Sequence, residues 1–445
     1  MQKLISMELS VTMSEERFTL EELVSKIDEL FNQKALVKLL SLLLGLMDEL
    51  LAIRNSSGKP AKPRQCQCGH CHYELKDRLK RKLETSLGTL EFAWRRLQCK
   101  HCRASWVPLR EFLGLERWQS KTSELERVVM EIITEQSYRR TSRHLKLASG
   151  VQLPKSTLHR WVVQSEAGHW ETQTDRPDVL MPDSTGYKRR IDKTAGQTNA
   201  GELRVVLGRQ RDGRWVAYGA WSGQSWKEIA SQLRGESSRP KIHGQLLVSD
   251  GETGLAQALA DLANRQQRSH WHLVRDLRAT LWHDQAPAPE RKQRAQELGE
   301  LLGIELPAQD FEKLKDRDKE AIKEQVNTAQ NGLSQLVKEL AAKGYHKAAG
   351  YIETAQNKLF NYVRFWLKTG VVCPRTTSFL ERLMRELGRR LKRIAFGWSE
   401  AGAAQMARLI LRRVINHEEW ETYWQKRLGL QNQVHISLRN IKTLN

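Results

Sequence analysis

The stretch Gln245-Leu246-Leu247-Val248-Ser249-Asp250-Gly251 runs a short apolar segment into a carboxylate and then a glycine. Short apolar runs closed by a turn signal read as buried strands, and open α/β sheets keep their ligands at the carboxyl ends of such strands. Val179-Leu180-Met181-Pro182-Asp183-Ser184-Thr185-Gly186 has the same form. Either aspartate alone reads equally well as an ordinary strand cap. As a pair of strand-end aspartates they can share a divalent cation, because hard cations take carboxylate oxygens. A chain built around this pair needs a sheet that brings both acids to one edge.

The surrounding pattern supplies that sheet. Strand candidates follow one another at Val179–Asp183, Leu203–Gln210 and Arg214–Trp221, with Asp212-Gly213 as a hairpin turn. A helix follows at Trp226–Leu233, then the strand Leu246–Asp250, a helix from Thr253 to Ala263, and a fifth strand over about Ser269 to Val274. Three antiparallel strands, a helix, then alternating strand and helix is the order of a ribonuclease-H-like mixed α/β domain. Asp276 to Gly370 has almost no strand character and reads as charged amphipathic helices, such as Ala308–Gln330 and Leu333–Ala349, parted by Asn331-Gly332. Beyond the break at Cys373-Pro374, a helix runs from about Phe379 to about Ile394, with Leu380, Leu383, Met384, Leu387, Leu391 and Ile394 on one face. Glu381 lies on its first turn, where the helix dipole holds a carboxylate ionised. Arg382, Arg385, Arg389 and Lys392 follow it along the same helix and suit backbone phosphates or a solvated face.

The front of the chain carries different chemistry. Five of the 6 cysteines lie between positions 66 and 102. Cys68-x2-Cys71 and Cys99-x2-Cys102 fit a structural zinc site of four thiolates, and Cys66, His70, His72 and His101 lie close enough to replace a ligand. Between the pairs, Arg81 to Arg96 reads as a basic hairpin turning at Gly88-Thr89, with Arg81, Lys82, Arg95 and Arg96 available to DNA. Two short helices around Ser137–Leu145 and Pro154–Val162, broken at Gly150, fit a helix-turn-helix in which Lys155, Ser156, Thr157, His159 and Arg160 face a groove. Upstream, residues 14 to 54 read as two helices. Leu20, Leu23, Val24, Ile27, Leu30 and Phe31 form one apolar face, and Leu36 to Leu51 another, suited either to a partner helix or to the core.

Composition points to the same partner. Lys plus Arg is 73 against 52 Asp plus Glu, a formal charge of +21, which draws a protein to polyanions. The most apolar stretch, Leu36 to Ile53, carries Lys38, Asp48 and Glu49 and does not suit a membrane. The N-terminus lacks a signal peptide's basic start and cleavage site, so a cytoplasmic, nucleoid-associated protein is expected.

These residues together resemble the DDE-type insertion-sequence transposases of bacteria and archaea, the Mutator-like and related branch with an N-terminal zinc ribbon. The resemblance covers roughly residues 60 to 415. It rests on the paired CxxC around a basic hairpin, the helix-turn-helix, Asp183-Ser-Thr-Gly, Ser249-Asp250-Gly251, and the helical insertion. It continues with Thr376-Thr377-Ser378-Phe379-Leu380-Glu381-Arg382, the basic Gly388–Arg393 run, Trp398 and Gly402-Ala403. It implies a catalytic triad at Asp183, Asp250 and Glu381, two Mg2+ or Mn2+ per active site, one structural Zn2+, double-stranded DNA (element ends and target) as partner, and at least a homodimer, because two ends must meet. The branch also tends to carry a Cys-x2-His after its second aspartate; here His272 matches and Ser269 stands in the cysteine's place. Trp271, Trp282 and Trp398 are candidates to stack on unpaired bases.

The expected fold is therefore multidomain α+β. Its parts are a helical region at 1–60, with possible dimerisation, a zinc ribbon at 61–115, and a helix-turn-helix domain at 116–172. The ribonuclease-H-like catalytic domain follows at 173–282, is interrupted by a helical insertion at 283–372, and resumes at 373–425 before a tail at 426–445. The competing readings are a DNA-binding regulator built on an inactive transposase-like domain and another nuclease of the same fold, such as a junction resolvase. Retention of all three acids speaks against the first, and the helical insertion with two front modules against the second.

Overall fold

The structure, a computed structural model, describes residues 20–21, 24–25, 35–56, 65–169, 174–191, 198–235, 241–307, 310–392 and 397–429. The expected apolar face through Leu23, Ile27, Leu30 and Phe31, most of the linker, Arg393, Ile394 and the tail beyond 429 lie outside the described residues. The architecture is mixed α and β with two sheets. Among the described residues no helix is long and apolar enough to cross a membrane. The chain divides into two units, 1–160 and 161–445.

In the first unit, helix α1 (Leu36–Ser56) lies against a hairpin of β1 (Tyr73–Thr85) and β2 (Gly88–Cys99), which the short β3 (Ser105–Trp106) extends. The core is Leu44, Leu90, Trp94, Val107 and Leu109, with Val37, Leu40, Met47 and Leu51 packed onto it. Part of the apolar stretch of α1 thus packs on its own ribbon, while Leu42, Leu50 and Ile53 stay exposed. The hairpin turn falls at Ser86-Leu87, one pair earlier than expected: Gly88 already pairs with Thr85 as the first residue of β2. Gly88 has φ +130°, and a Cβ there would sit 2.9 Å from Val37 Cγ2, so the glycine admits α1 rather than making the turn. After α2 (Pro108–Phe112), helices α3 (Ser123–Glu135) and α4 (Tyr138–Ser149) are capped by Thr122 and Ser137. α4 ends on Gly150 in the left-handed conformation, which lets the chain turn into α5 (Lys155–Gln164).

The second unit is built on a five-stranded sheet of β4 (Val179–Arg190), β5 (Thr198–Arg209), β6 (Trp215–Ser222), β7 (Gly244–Ser249) and β8 (Ala263–Arg268). Their spatial order is β6-β5-β4-β7-β8, antiparallel across the first three and parallel from β4 to β7 to β8. Helices α6 (Trp226–Arg234) and α7 (Thr253–Ala258) bury Trp226, Ile229, Leu233 and Leu255 against Leu180, Val206, Tyr218 and Leu247 on one face. The edge strand β6 is closed by Asn416, whose side chain accepts from the Ala217 N–H (2.9 Å) and donates to its carbonyl (3.2 Å).

Two expectations are corrected here. The fifth strand is Ala263–Arg268, and the predicted segment Ser269–Val274 instead starts α8 (His270–His283). Leu273, Leu277 and Leu281 recur every fourth residue and are all buried, which is helical spacing. The insertion does not break at Asn331-Gly332. After α9 (Ala288–Leu301), α10 runs unbroken from Asp316 to Ala342. Its stripe Ile322, Val326, Ala329, Leu333, Leu336 and Leu340 passes straight through the glycine. A Cβ at Gly332 would lie 2.5 Å from Leu301 Cδ2, so the residue gives α9 its close approach.

Helix α11 (His346–Ala355) folds back on α10, and α12 (Asn361–Thr369) returns the chain to β8. The return is pinned at its root. Asn361 Nδ2 donates to the Gln266 carbonyl (2.6 Å), the Tyr362 N–H to Gln267 Oε1 (3.0 Å), and Gln267 Nε2 to the Leu359 carbonyl (2.8 Å). Then α13 (Ser378–Leu391) packs against β4, α14 (Glu400–Val414) against β6, and α15 (His417–Leu428) against α14.

Candidate active site and metal centre

The parallel register between β4 and β7 sets Val179 level with Leu246 and Leu180 with Leu247. Continued to the end of β7, it brings Asp250 level with Asp183. Asp250 follows the last residue of its strand, as expected, and its Oδ1 accepts from the Glu252 N–H (3.0 Å). Asp183, expected at a strand end, lies inside β4, because the antiparallel ladder with β5 continues through Arg190 after the parallel pairing has stopped. Leu180 belongs to the core under α6 and α7, so alternation turns Asp183 and Thr185 to the other face, the one α13 covers. Glu381, on the first turn of α13, accepts from Thr377 Oγ1 (3.1 Å).

Burial first, and then the negative charges of Asp250, Glu381 and Glu252, raise the Asp183 carboxyl to about 7, against the pull of the Ser184 N–H. A partly buried acid crowded by other acids is the donor set a hard divalent cation would relieve, and the residues fit such an ion. Among the described residues, the sets of potential ligand atoms lying within 4.8 Å of one another are formed by cysteine and histidine, so the three carboxylates are not drawn into a single-ion cage. Glu252, next to Gly251, is a fourth acid of the site; its place right after the Ser-Asp-Gly turn was the available signal.

His272 stands in the first turn of α8 with Nε2 3.2 Å from Glu381 Oε1, an approach too poorly aligned to count as a hydrogen bond. Its pKa is lowered, chiefly by burial and then by Arg275, with Asp250 and Glu381 pulling the other way. Trp271 is half-exposed under the Arg275 guanidinium (4.8 Å to the ring centroid). Trp282 is also exposed. Trp398 is not available to a base: it is buried, its backbone bonds Arg190 and Lys188 of β4, and Arg390 covers its ring.

Beside the acids, Thr185 of β4 and Arg382, Arg385, Arg389 and Lys392 of α13 line a groove of about 580 Å³. All four basic side chains are exposed, and Arg389 also pairs with Glu386. On α5 the residues Lys155, Ser156, His159 and Arg160 are exposed and Thr157 half-buried, while Leu158 is buried. The hairpin cations are mostly committed elsewhere, contrary to expectation. Arg95 binds Asp48 of α1 (2.9 Å), which is 2% exposed. Arg96 pairs with Asp77, and Arg81 donates to the Gln119 carbonyl. Lys82 is exposed and loosely paired with Glu91 (3.6 Å).

The thiols gather as Cys66, Cys68, Cys99 and Cys102, all within 4.8 Å. Cys66 takes the place expected for Cys71. The turn that closes the Gly69 N–H on the Cys66 carbonyl and the Cys66 N–H on the His70 carbonyl puts the alternate residues 66 and 68 inward. The Cys71 sulfur instead lies 4.0 Å from His72 Nδ1. Cys66–Cys102 at 3.3 Å and Cys68–Cys99 at 3.7 Å approach the ~3.8 Å edge of a tetrahedral zinc–thiolate site, so the set fits Zn2+. The Cys102 N–H draws the Cys99 thiol down to about 6. Although the Ala104 N–H favours its thiolate, the neighbouring sulfurs of Cys66 and Cys68 push Cys102 up to about 12. The Cys66-x-Cys68 spacing was the signal for this set.

No family model matches the chain, and no curated protein matches it. Among solved structures, the Drosophila P element transposase strand transfer complex shows a slight likeness, at 12% identity and a TM-score of 0.25, over 72% of this chain and 84% of that one.

Proposed function

We propose that the chain is a DNA transposase of the DDE type, cutting DNA strands and joining a freed 3′ end to target DNA. The observation that supports this reading is the electrostatic coupling of carboxylates from separated segments: Asp250 and Glu381 both act on Asp183, which lies on the central strand of a mixed sheet whose order is that expected of a ribonuclease-H-like fold. Asp183, Asp250 and Glu381 would hold two Mg2+ or Mn2+ ions, which supply a water or hydroxyl nucleophile at neutral pH and stabilise the leaving oxygen. Asp183, on the central strand, would serve both ions. Thr377 holds Glu381 by its hydrogen bond, and His272 flanks the same carboxylate. The groove of Arg382, Arg385, Arg389 and Lys392 would grip strand phosphates beside the acids.

The exposed face of α5 would enter a DNA groove, with Lys155, Ser156, Thr157, His159 and Arg160 forward, as in a helix-turn-helix. The thiol cluster would bind one Zn2+ as a structural clip. Joining two element ends calls for at least a dimer on DNA. The test is an assay of strand cleavage and joining on a duplex, in Mg2+ and in Mn2+, with Asp183→Asn, Asp250→Asn and Glu381→Gln. All three should lose both steps while still binding DNA. Unchanged activity in Asp250→Asn and Glu381→Gln would remove the catalytic assignment and leave a DNA-binding regulator.

A further inference from the structure

Behind the Asp250 turn lies a second cavity, of about 490 Å³, walled by Ser249 and Gly251 on one side and by Tyr351 and Lys358 on the other. Arg268, the last residue of β8, forms its floor and is only 8% exposed. Its Nη2 donates to the Tyr351 hydroxyl (2.6 Å), while its Nη1 is buried and has no hydrogen-bond partner. The guanidinium lies so close on Gly251, φ +87°, that a Cβ there would be 2.3 Å from Arg268 Cζ. No acidic residue lines this cavity, and the Arg268 guanidinium packs over the Tyr351 ring (5.8 Å to the centroid) rather than on a carboxylate.

A buried, uncompensated cation is costly, and a protein keeps one where something offsets it. We propose that this cavity binds a phosphate group, held by the free Nη1 of Arg268 and by Lys358. Arginine offers directed N–H donors and lysine a point charge, the combination that suits a tetrahedral oxyanion. The volume leaves room for the ester portion of a phosphate ester, and the exposed Gln257 and Thr354 mark where that portion would leave toward solvent. The phosphate belongs either to a DNA strand or to a free mononucleotide. The site shares the Ser249–Gly251 turn with the carboxylate cluster but uses none of its acids.

The test titrates the full chain with inorganic phosphate, followed by phosphorus NMR line width at constant ionic strength, and separately with a short DNA duplex. If the source is a free phosphate ester, phosphate binds saturably and Lys358→Gln weakens it about tenfold, while Lys338→Gln, exposed on α10, matches wild type. If the source is a strand, phosphate alone does not bind, and duplex affinity falls about tenfold in Lys358→Gln but not in Lys338→Gln. The proposal is overturned if Lys358→Gln binds both ligands as wild type does, or if Lys338→Gln weakens either as much. Arg268→Met, where it folds, must abolish the effect, and retained binding would also overturn the site; where it does not fold, Lys358→Gln decides.

Discussion

Asp250 stands level with Asp183 across a parallel strand pair, although the two strands exchange pairing only near Val179 and Leu180. Neighbouring strands lie ~4.8 Å apart, so acids facing each other at this level repel unless a cation lies between them. Burial, and after it the charges of Asp250, Glu381 and Glu252, raise Asp183 to about 7, so its ionised form is strained.

The strain predicts a trade between stability and metal binding. In chelator at pH 8 the Asp183 carboxyl is ionised against its surroundings, so Asp183→Asn should be more stable than wild type by ~1–3 kcal/mol. Added Mg2+ should raise the Tm of wild type and leave the variant unchanged. Thermal melts with and without Mg2+ check both; a variant that melts lower in chelator, or responds equally to the ion, contradicts the assignment.

The thiol set gives a second prediction. Cys66→Ala should purify with less than one zinc per chain and lose cooperative melting of the hairpin, because thiolate ligation contributes directly to folding. Cys71→Ala should keep its zinc. Metal analysis of the two proteins decides between them, and the reverse ranking would restore the evenly spaced CxxC pairs.

Arg95 and Lys392 should fail in different ways. Removing the Arg95 guanidinium leaves the buried Asp48 carboxylate with only the Arg95 backbone N–H (2.9 Å) and no counter-charge, so Arg95→Gln should cost ~3 kcal/mol in urea unfolding. Lys392→Gln should change stability by less than ~0.5 kcal/mol. It should instead weaken duplex binding and lower the slope of log K against log salt by about 1. A stable Arg95→Gln protein with weak DNA binding would show that the hairpin touches DNA after all.

Acid should loosen the root of the insertion. Burial, opposed by the hydrogen bond to the Leu359 carbonyl and reinforced by Arg375, lowers His270 from 6.5 to about 4. The unfolded chain therefore binds the extra proton first. The stability this neutral histidine contributes is whole above about pH 6.5 and disappears as pH falls toward 4. His270→Gln should lose ~2–3 kcal/mol less than wild type over that interval, read from urea midpoints. Parallel pH profiles for the two proteins would refute it.

Much of the second unit was legible because its strands are apolar and its acids end or interrupt them. The antiparallel trio, the Trp226 helix and the Leu246 strand could be read directly from residues with buried side chains. The fifth strand was not legible: Ala263-Asn-Arg-Gln-Gln-Arg is a polar edge strand, while the apolar spacing just beyond it belongs to α8. Gly88 and Gly332 were read as turn and break, yet each marks a place where another element comes close, and only tertiary packing reveals that use. The hairpin arginines show the same limit. Composition counts their charge, but not the Asp48 and Asp77 carboxylates that neutralise it.

The helical arm leaves the sheet after β8 and comes home to that same strand, stitched there by Asn361, Gln267 and Tyr362. Its two ends are therefore neighbours, and its length is uncoupled from where Glu381 comes to rest. Evolution, or an engineer, can lengthen, prune or replace such a cassette while the arrangement of Asp183, Asp250 and Glu381 stays put.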